Sequence, residues 1–285
     1  MIGSMQATAM QWVAAGVPAV VIEVTAARGS TPREQGTRML VSPSRALGTI
    51  GGGHLEMLAI GTARALLSQP DPIEPLERHY PLGPALGQCC GGAVTLRYAR
   101  LDARAAREWP AEAPRFFLQL YGAGHVGRAI ARLLSTIPCQ VQWIDERESE
   151  FPADEPLPPH IEKVCVEPVE AEVDVAPADA CFLVLTHNHD LDLRITEAIL
   201  KRNDFRYLGL IGSKTKRERF LHRYEARGIP ASALARMTCP IGVPGIEGKE
   251  PEVIAIAVVA QLLQLPVAAP AAAALLSIAE QAQAT

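Results

Sequence analysis

The feature that most constrains this chain is a run of six residues, Gly122, Ala123, Gly124, His125, Val126 and Gly127. It follows the apolar stretch FFLQLY directly and opens the helical pattern HVGRAIARLLS. A G-x-G-x-x-G says little by itself, but between a strand and a helix it predicts the first turn of a Rossmann-type unit. Gly122 permits the tight turn, Gly124 lets the backbone approach a phosphate, and Gly127 allows helix and sheet to pack closely. The free amides at the helix start favour an anion. His125 lies within the loop, either facing that ligand or capping the helix. Asp145 ends the next strand, QVQWID, 18 residues beyond Gly127, where such folds place an acid on a ribose hydroxyl.

From residue 115 onward the pattern alternates: FFLQLY, the helix above, QVQWID, KVCV, CFLVLTH, the helix LDLRITEAILKR, YLGLIG and the helix KTKRERFLHRYEARG. Such alternation predicts a parallel sheet, and short unbroken apolar runs such as FLVL and LGLI fit strands covered by helices on both faces. Two further polar clusters fall behind strands, at the edge where α/β folds bind ligands. Thr186, His187, Asn188, His189 and Asp190 follow CFLVL. The two histidines beside an aspartate suggest a metal, but no third ligand cluster of clear spacing joins them, and Asp190 can instead cap a helix beginning near Leu191. Gly212, Ser213 and Lys214 close the strand YLGLIG and open the next helix, offering a second place to neutralise a phosphate or oxo-anion.

The first half reads differently. PAVVIEVTA (residues 18–26), RMLVS (38–42) and AVTLRY (93–98) predict strands, and residues 53–67 carry apolar side chains at helical spacing. Gly51, Gly52 and Gly53 precede that helix, with Glu56 in its first turn, and allow positive φ or close approach of another molecule. Cys89, Cys90, Gly91 and Gly92 place adjacent thiols in a flexible turn. Neighbouring cysteines do not readily form an unstrained disulfide, which leaves a thiol suited to a soft metal or sulfur-bearing ligand, or a small buried hydrophobe. The segment 28–33 (RGSTPR) is a polar loop that presents cations. Residues 101–114 show neither strand nor core pattern and mark a seam. The predicted organisation is an N-terminal α+β domain, residues 1–104, followed by a Rossmann-like doubly wound parallel-sheet domain, residues 115–285.

With 27 Lys and Arg against 31 Asp and Glu, a net charge of −4 offers nucleic acid no broad attraction, and the Arg-rich stretches 100–107 and 214–219 read as solvated faces. The apolar stretch 253–276 is broken by Gln261, Gln264, Pro266 and Pro270, which predicts two packed helices rather than a membrane span. The start, MIGSMQATAM, lacks the pattern of a secretion signal. Six cysteines without a C-x-x-C pair fit reduced thiols in the cytoplasm, with Cys139, Cys165 and Cys181 in core-like contexts.

Taken together, VTAARGSTPREQGTRMLV, TIGGGHLE, CCGG, YGAGHVG, WIDER, THNHDLD, LIGSKTKRERF and CPIGVPGIEGKEPEVIAIAVVAQLL resemble the XdhC/CoxI family of xanthine dehydrogenase accessory proteins. The resemblance runs in order over nearly all the chain. It implies a chaperone and not an enzyme: a protein that binds molybdenum cofactor (molybdopterin), protects its sulfurated form, and inserts it into xanthine dehydrogenase or a related molybdenum hydroxylase. It implies a cysteine desulfurase as a further partner, and a homodimer is the expected assembly. The cargo is an anionic pterin phosphate with dithiolene-bound molybdenum. The expected division of labour puts its phosphate on the 122–127 turn with Ser213 and Lys214, and its metal or labile sulfur near Cys90 or Cys89. The same glycine turn and Asp145 would equally serve an NAD(P)-dependent oxidoreductase or nucleotide sensor, although no Tyr-x-x-x-Lys pair accompanies them. A zinc hydrolase using His187 and His189 is the third alternative.

Overall fold

The computed structural model describes residues 5–69, 74–83, 91–109, 114–153 and 156–266. Residues 2–111 and 112–285 form two compact units.

The first unit contains α1 (Met5–Ala14), β1 (Val20–Arg28), β2 (Arg38–Val41), β3 (Ala46–Gly48), α2 (Gly53–Leu67), β4 (Leu76–Pro81), β5 (Ala93–Arg100) and α3 (Ala103–Arg107). Its strands form one antiparallel sheet in the order β3-β2-β1-β5-β4. The β-branched run of β1 explains the layering, because successive side chains point to opposite faces. Val20, Ile22 and Val24 meet Leu55, Ala59, Ala63 and Leu66 of α2. Val21 points the other way, with Ala19 and Leu40, onto Ala9 and Trp12 of α1 and onto Ala106 and Trp109. The stretch 101–114, featureless in the sequence, therefore contains a helix: Asp102 caps α3 by accepting from the Ala105 amide at 2.7 Å, and Leu101, Ala106 and Trp109 are buried. Five residues of Ala and Arg are too short to show a helical period, which is why the pattern missed it.

The second unit contains β6 (Phe117–Tyr121), α4 (His125–Leu134), β7 (Gln140–Asp145), β8 (Ile161–Cys165), α5 (Glu172–Val175), β9 (Cys181–Val184), α6 (His189–Arg202), β10 (Tyr207–Leu210), α7 (Lys214–Ala226), α8 (Ala231–Leu234), β11 (Met237–Thr238) and α9 (Pro251–Leu263). Its six strands are all parallel, in the order β11-β10-β9-β6-β7-β8. This is the Rossmann order, with the first strand central and the fourth crossing back beside it. The alternation within β9 shows how both faces are covered: Phe182 and Val184 join α6 and α7 in one core, while Cys181 and Leu183 join α4 and α9 in the other. The mixed α/β architecture is thus an antiparallel α+β unit followed by a doubly wound one.

One expectation needs correction here. Cys139 and Cys181 are buried, and burial pushes both thiols up to about 12. Cys165 is exposed; it ends β8, an edge strand of the sheet. Of the stretch 253–276, residues up to Leu263 belong to α9, and those from 267 onward lie outside the described residues. Among the described residues no helix is long and apolar enough to cross a membrane.

Candidate functional site

The reversal of strand order between β6 and β9 opens a crevice at the carboxyl ends of the parallel strands, and the glycine turn sits at its rim. Its three glycines do different work. Gly122 has φ 116°, and a Cβ there would lie 2.4 Å from the Leu185 carbonyl oxygen. A Cβ on Gly127 would lie 2.0 Å from the Gly122 oxygen. Both are demanded by the fold itself. Gly124 has an ordinary φ of −68°, and among the described residues nothing lies within 4 Å of the place its Cβ would occupy. Gly124 is also the N-cap of α4, and among the described residues no side chain caps this helix, which leaves the amides of its first turn without an intrahelical partner. His125 is exposed at the first helical position.

Asp145, at the end of β7, is only 4% exposed. Its Oδ2 accepts from the Ala123 amide at 2.7 Å and from Arg147 Nη2 at 3.0 Å, and its Oδ1 accepts from the Arg147 amide and Nε, each at 3.0 Å. Burial alone would raise its pKa, but the Arg147 guanidinium and the two amides outweigh it and hold the carboxyl below the usual range. Arg147 leans on to Glu150 at 3.5 Å. Glu150 in turn receives Arg128 of α4 on its carboxylate at 2.8 Å and on its carbonyl at 2.9 Å. The strand end and the helix behind the turn are thereby pinned together.

Behind β9, Asn188 caps α6, taking the amides of Asp190 and Leu191 on its Oδ1 at 2.8 and 3.3 Å. This corrects the assignment of the cap to Asp190, which is exposed and pairs with Arg223 at 3.7 Å. Asn fits because a short side-chain acceptor one residue before the helix reaches the second and third amides. His187 stands 3.8 Å from Glu146, and both border a small notch of about 10 Å³ together with Gly122, Asp145 and Thr186. His189 meets Arg219 at 3.1 Å. Among the described residues no three His, Cys, Asp or Glu side chains come together as a metal group.

Behind β10, Ser213 caps α7 by accepting the Lys216 amide at 3.2 Å, and Lys214 is exposed beside it. Lys216 is not on a solvated face. It is 8% exposed and bonds Asp192, itself fully buried, at 2.6 Å and the Ile211 carbonyl at 2.8 Å. Asp192 also takes the amide and hydroxyl of Thr186 at 3.0 and 2.7 Å. This pair joins the loops behind β9 and β10, and removing one partner of such a buried pair costs about 3–5 kcal/mol. The sequence carries a signal for it: Lys216 shares the stripe of Phe220 and Tyr224 at i+4 and i+8, and Asp192 shares that of Ile195, Thr196 and Ile199. A charge within an apolar stripe is either misplaced or paired. The Cys239 Sγ lies 3.9 Å from the Ser213 carbonyl, and burial raises its pKa.

The remaining candidates are in the first unit. Gly51, Gly52 and Gly53 all have positive φ, at 124°, 74° and 63°. A Cβ on Gly51 would strike Pro32 at 2.4 Å, and one on Gly92 would strike the Ser30 carbonyl at 2.4 Å. The RGSTPR loop, the triple-glycine turn and the second glycine pair therefore share one neighbourhood. Glu56 bends back onto the turn: a single carboxylate oxygen takes the Thr49 hydroxyl at 2.6 Å and the amides of Ile50 and Gly52 at 3.1 and 3.0 Å. Among the described residues nothing lies within 4 Å of the place a Cβ on Gly91 would occupy. Cys89 and Cys90 lie outside the described residues.

Two family models match: "XdhC Rossmann domain" over residues 118–262 and "XdhC and CoxI family" over residues 12–78. The chain is 32% identical over 261 residues to YqeB of Escherichia coli strain K12, described as an uncharacterized protein; the match covers 89% of this chain and 44% of YqeB. It thus spans under half the length of that relative. A crystal structure from Bacillus halodurans, described as a xanthine dehydrogenase, superposes with a TM-score of 0.71 at 20% identity, covering 92% of this chain and 95% of the other. That likeness concerns the fold. With both halves matched in order and the Rossmann model alone spanning half its length, the chain belongs to the XdhC/CoxI family.

Proposed function

We propose that this chain is a cytoplasmic accessory protein that carries molybdenum cofactor, keeps its sulfurated form intact, and passes it to a xanthine dehydrogenase or related molybdenum hydroxylase. On this reading a cysteine desulfurase supplies the sulfur, and the chain turns nothing over. Family membership supports the accessory role. The observation that carries the site is the contrast among three helix starts at the crevice: α6 and α7 spend their first amides on Asn188 and Ser213, whereas α4, among the described residues, has no side-chain cap and has empty space over Gly124. An uncapped helix start with room above it suits a phosphate, which the pterin cargo carries. Lys214 adds a cation nearby on the same sheet edge. As a separate proposal carried by the resemblance alone, Cys90 or Cys89, both outside the described residues, supplies a thiol for the molybdenum or its labile sulfur.

The test is binding of anaerobically purified molybdenum cofactor to the wild type and to Gly124→Val and Cys90→Ala. Saturable binding is expected, weakened about tenfold or more by Gly124→Val as a phosphate contact is lost. Loss in Cys90→Ala ties the first unit to the cargo. Tight NAD or NADP binding without affinity for molybdenum cofactor would overturn the proposal.

A further inference from the structure

We infer that Arg147 is a specificity-determining residue that withholds Asp145 from ribose and so closes the glycine turn to NAD. An ionised carboxylate has two oxygens and about four acceptor positions. At Asp145 four N–H groups fill them: the Ala123 amide, the Arg147 amide, Arg147 Nε and Arg147 Nη2. A ribose diol binds such an acid by donating its hydroxyls to it, and no acceptor position is left for it. The space agrees with this count, since the notch between Asp145 and Thr186 measures about 10 Å³, which is room for about one water.

Arg147 is also held where it is. Nε and Nη2 form a two-point fork on Asp145, Nη1 reaches Glu150, and Glu150 is anchored by Arg128 of α4. A forked guanidinium–carboxylate pair is a strong and directional contact. The same engagement bears on NADP: a 2′-phosphate would have to draw Arg147 away from two carboxylates. The glycine turn keeps its phosphate-binding half, around Gly124, and loses its ribose-binding half. This inference concerns nucleotide exclusion and stands whether or not the cargo proposed above is correct.

The experiment measures NAD and NADP binding by calorimetry on the wild type, Arg147→Met, Arg147→Lys and the double variant Arg147→Met/Asp145→Asn, each first checked for an intact fold by circular dichroism. The wild type is expected to bind both nucleotides weakly at most, its affinity bounded by the highest concentration titrated. Arg147→Met should bind NAD about tenfold or more tightly than the wild type once the acceptor positions are freed, and the double variant should lose the gain. Arg147→Lys keeps the charge without the fork and should show a smaller gain, which serves should Arg147→Met fail to fold. Wild-type NAD binding equal to that of Arg147→Met would overturn the inference. So would NADP binding by the wild type that Arg147→Met abolishes, or the absence of any gain in both single variants.

Discussion

Among the described residues, the glycine turns that open α2 and α4, one in each unit, spend their backbone donors in opposite ways. At residues 51–53, Glu56 folds back from the following helix and takes two amides and the Thr49 hydroxyl on one oxygen. At residues 122–127, the acid comes from the neighbouring strand and takes only the Ala123 amide, leaving the start of α4 uncapped. Both turns look equally suited to a ligand when read as letters. The difference is whether a glycine is explained by the protein around it. Gly51, Gly122 and Gly127 are, through contacts a Cβ would violate, whereas Gly124 is not. A glycine without an internal reason is the better pointer to something external.

Substitutions can break or sharpen this contrast, and the largest effect should come from Gly127→Ala. Its Cβ would sit 2.0 Å from a backbone oxygen, so a loss of about 3 kcal/mol or more is expected in chemical unfolding of the second unit. A loss below about 0.5 kcal/mol would mean that the turn is looser than its geometry shows. Glu56→Ala removes the acceptor of three donors and should cost about 2 kcal/mol. If it instead leaves stability unchanged and abolishes cofactor binding, the first turn is the ligand site and the contrast reverses.

Asp145→Asn should cost about 1–2 kcal/mol at neutral pH through weakened bonds to Arg147 and Ala123. Because the folded pKa of Asp145 is depressed, its stabilisation is present above the unfolded value near about 3.9 and is lost as pH falls through the folded one. The gap between wild type and variant should therefore close only in the acid range below about pH 4, in paired unfolding curves. A gap that closes between pH 5 and 7 would contradict the pairing. The smallest effect belongs to Gly124→Ala, within about 0.5 kcal/mol of wild type, since the backbone is ordinary and the space empty.

Much of the second unit was legible because its signals are local. A strand, a glycine turn and a helix in immediate succession leave few alternatives, and unbroken runs such as CFLV could only be strands covered on both faces. Helix α2 was equally plain from its spacing. What stayed hidden depends on partners distant in the chain. Lys216 sits in a string of charges, and its burial follows from Asp192 lying 24 residues earlier on another helix. Arg147 lies in view two residues past Asp145, but whether it folds back over the acid or reaches for solvent is a matter of side-chain geometry. Cys165 looks apolar in context, but it is exposed at the end of β8, an edge strand of the sheet. The candidate site is thus legible in the sequence at its glycines, while the charges that hold its loops are not.

The pairing of β1 with β5 bears on how the first unit is made. Val20 lies opposite Arg100 and Arg28 opposite Ala93, so the central strand gains its second neighbour only after some seventy intervening residues have been synthesised. Until then the hairpin of β1 and β2 offers an unpaired edge carrying Val20, Ile22 and Val24, which invites association with other nascent chains. Closing so distant a contact is slow relative to a local hairpin. A fragment ending before Ala93 should therefore aggregate, whereas one that retains β5 gives the strand its missing partner.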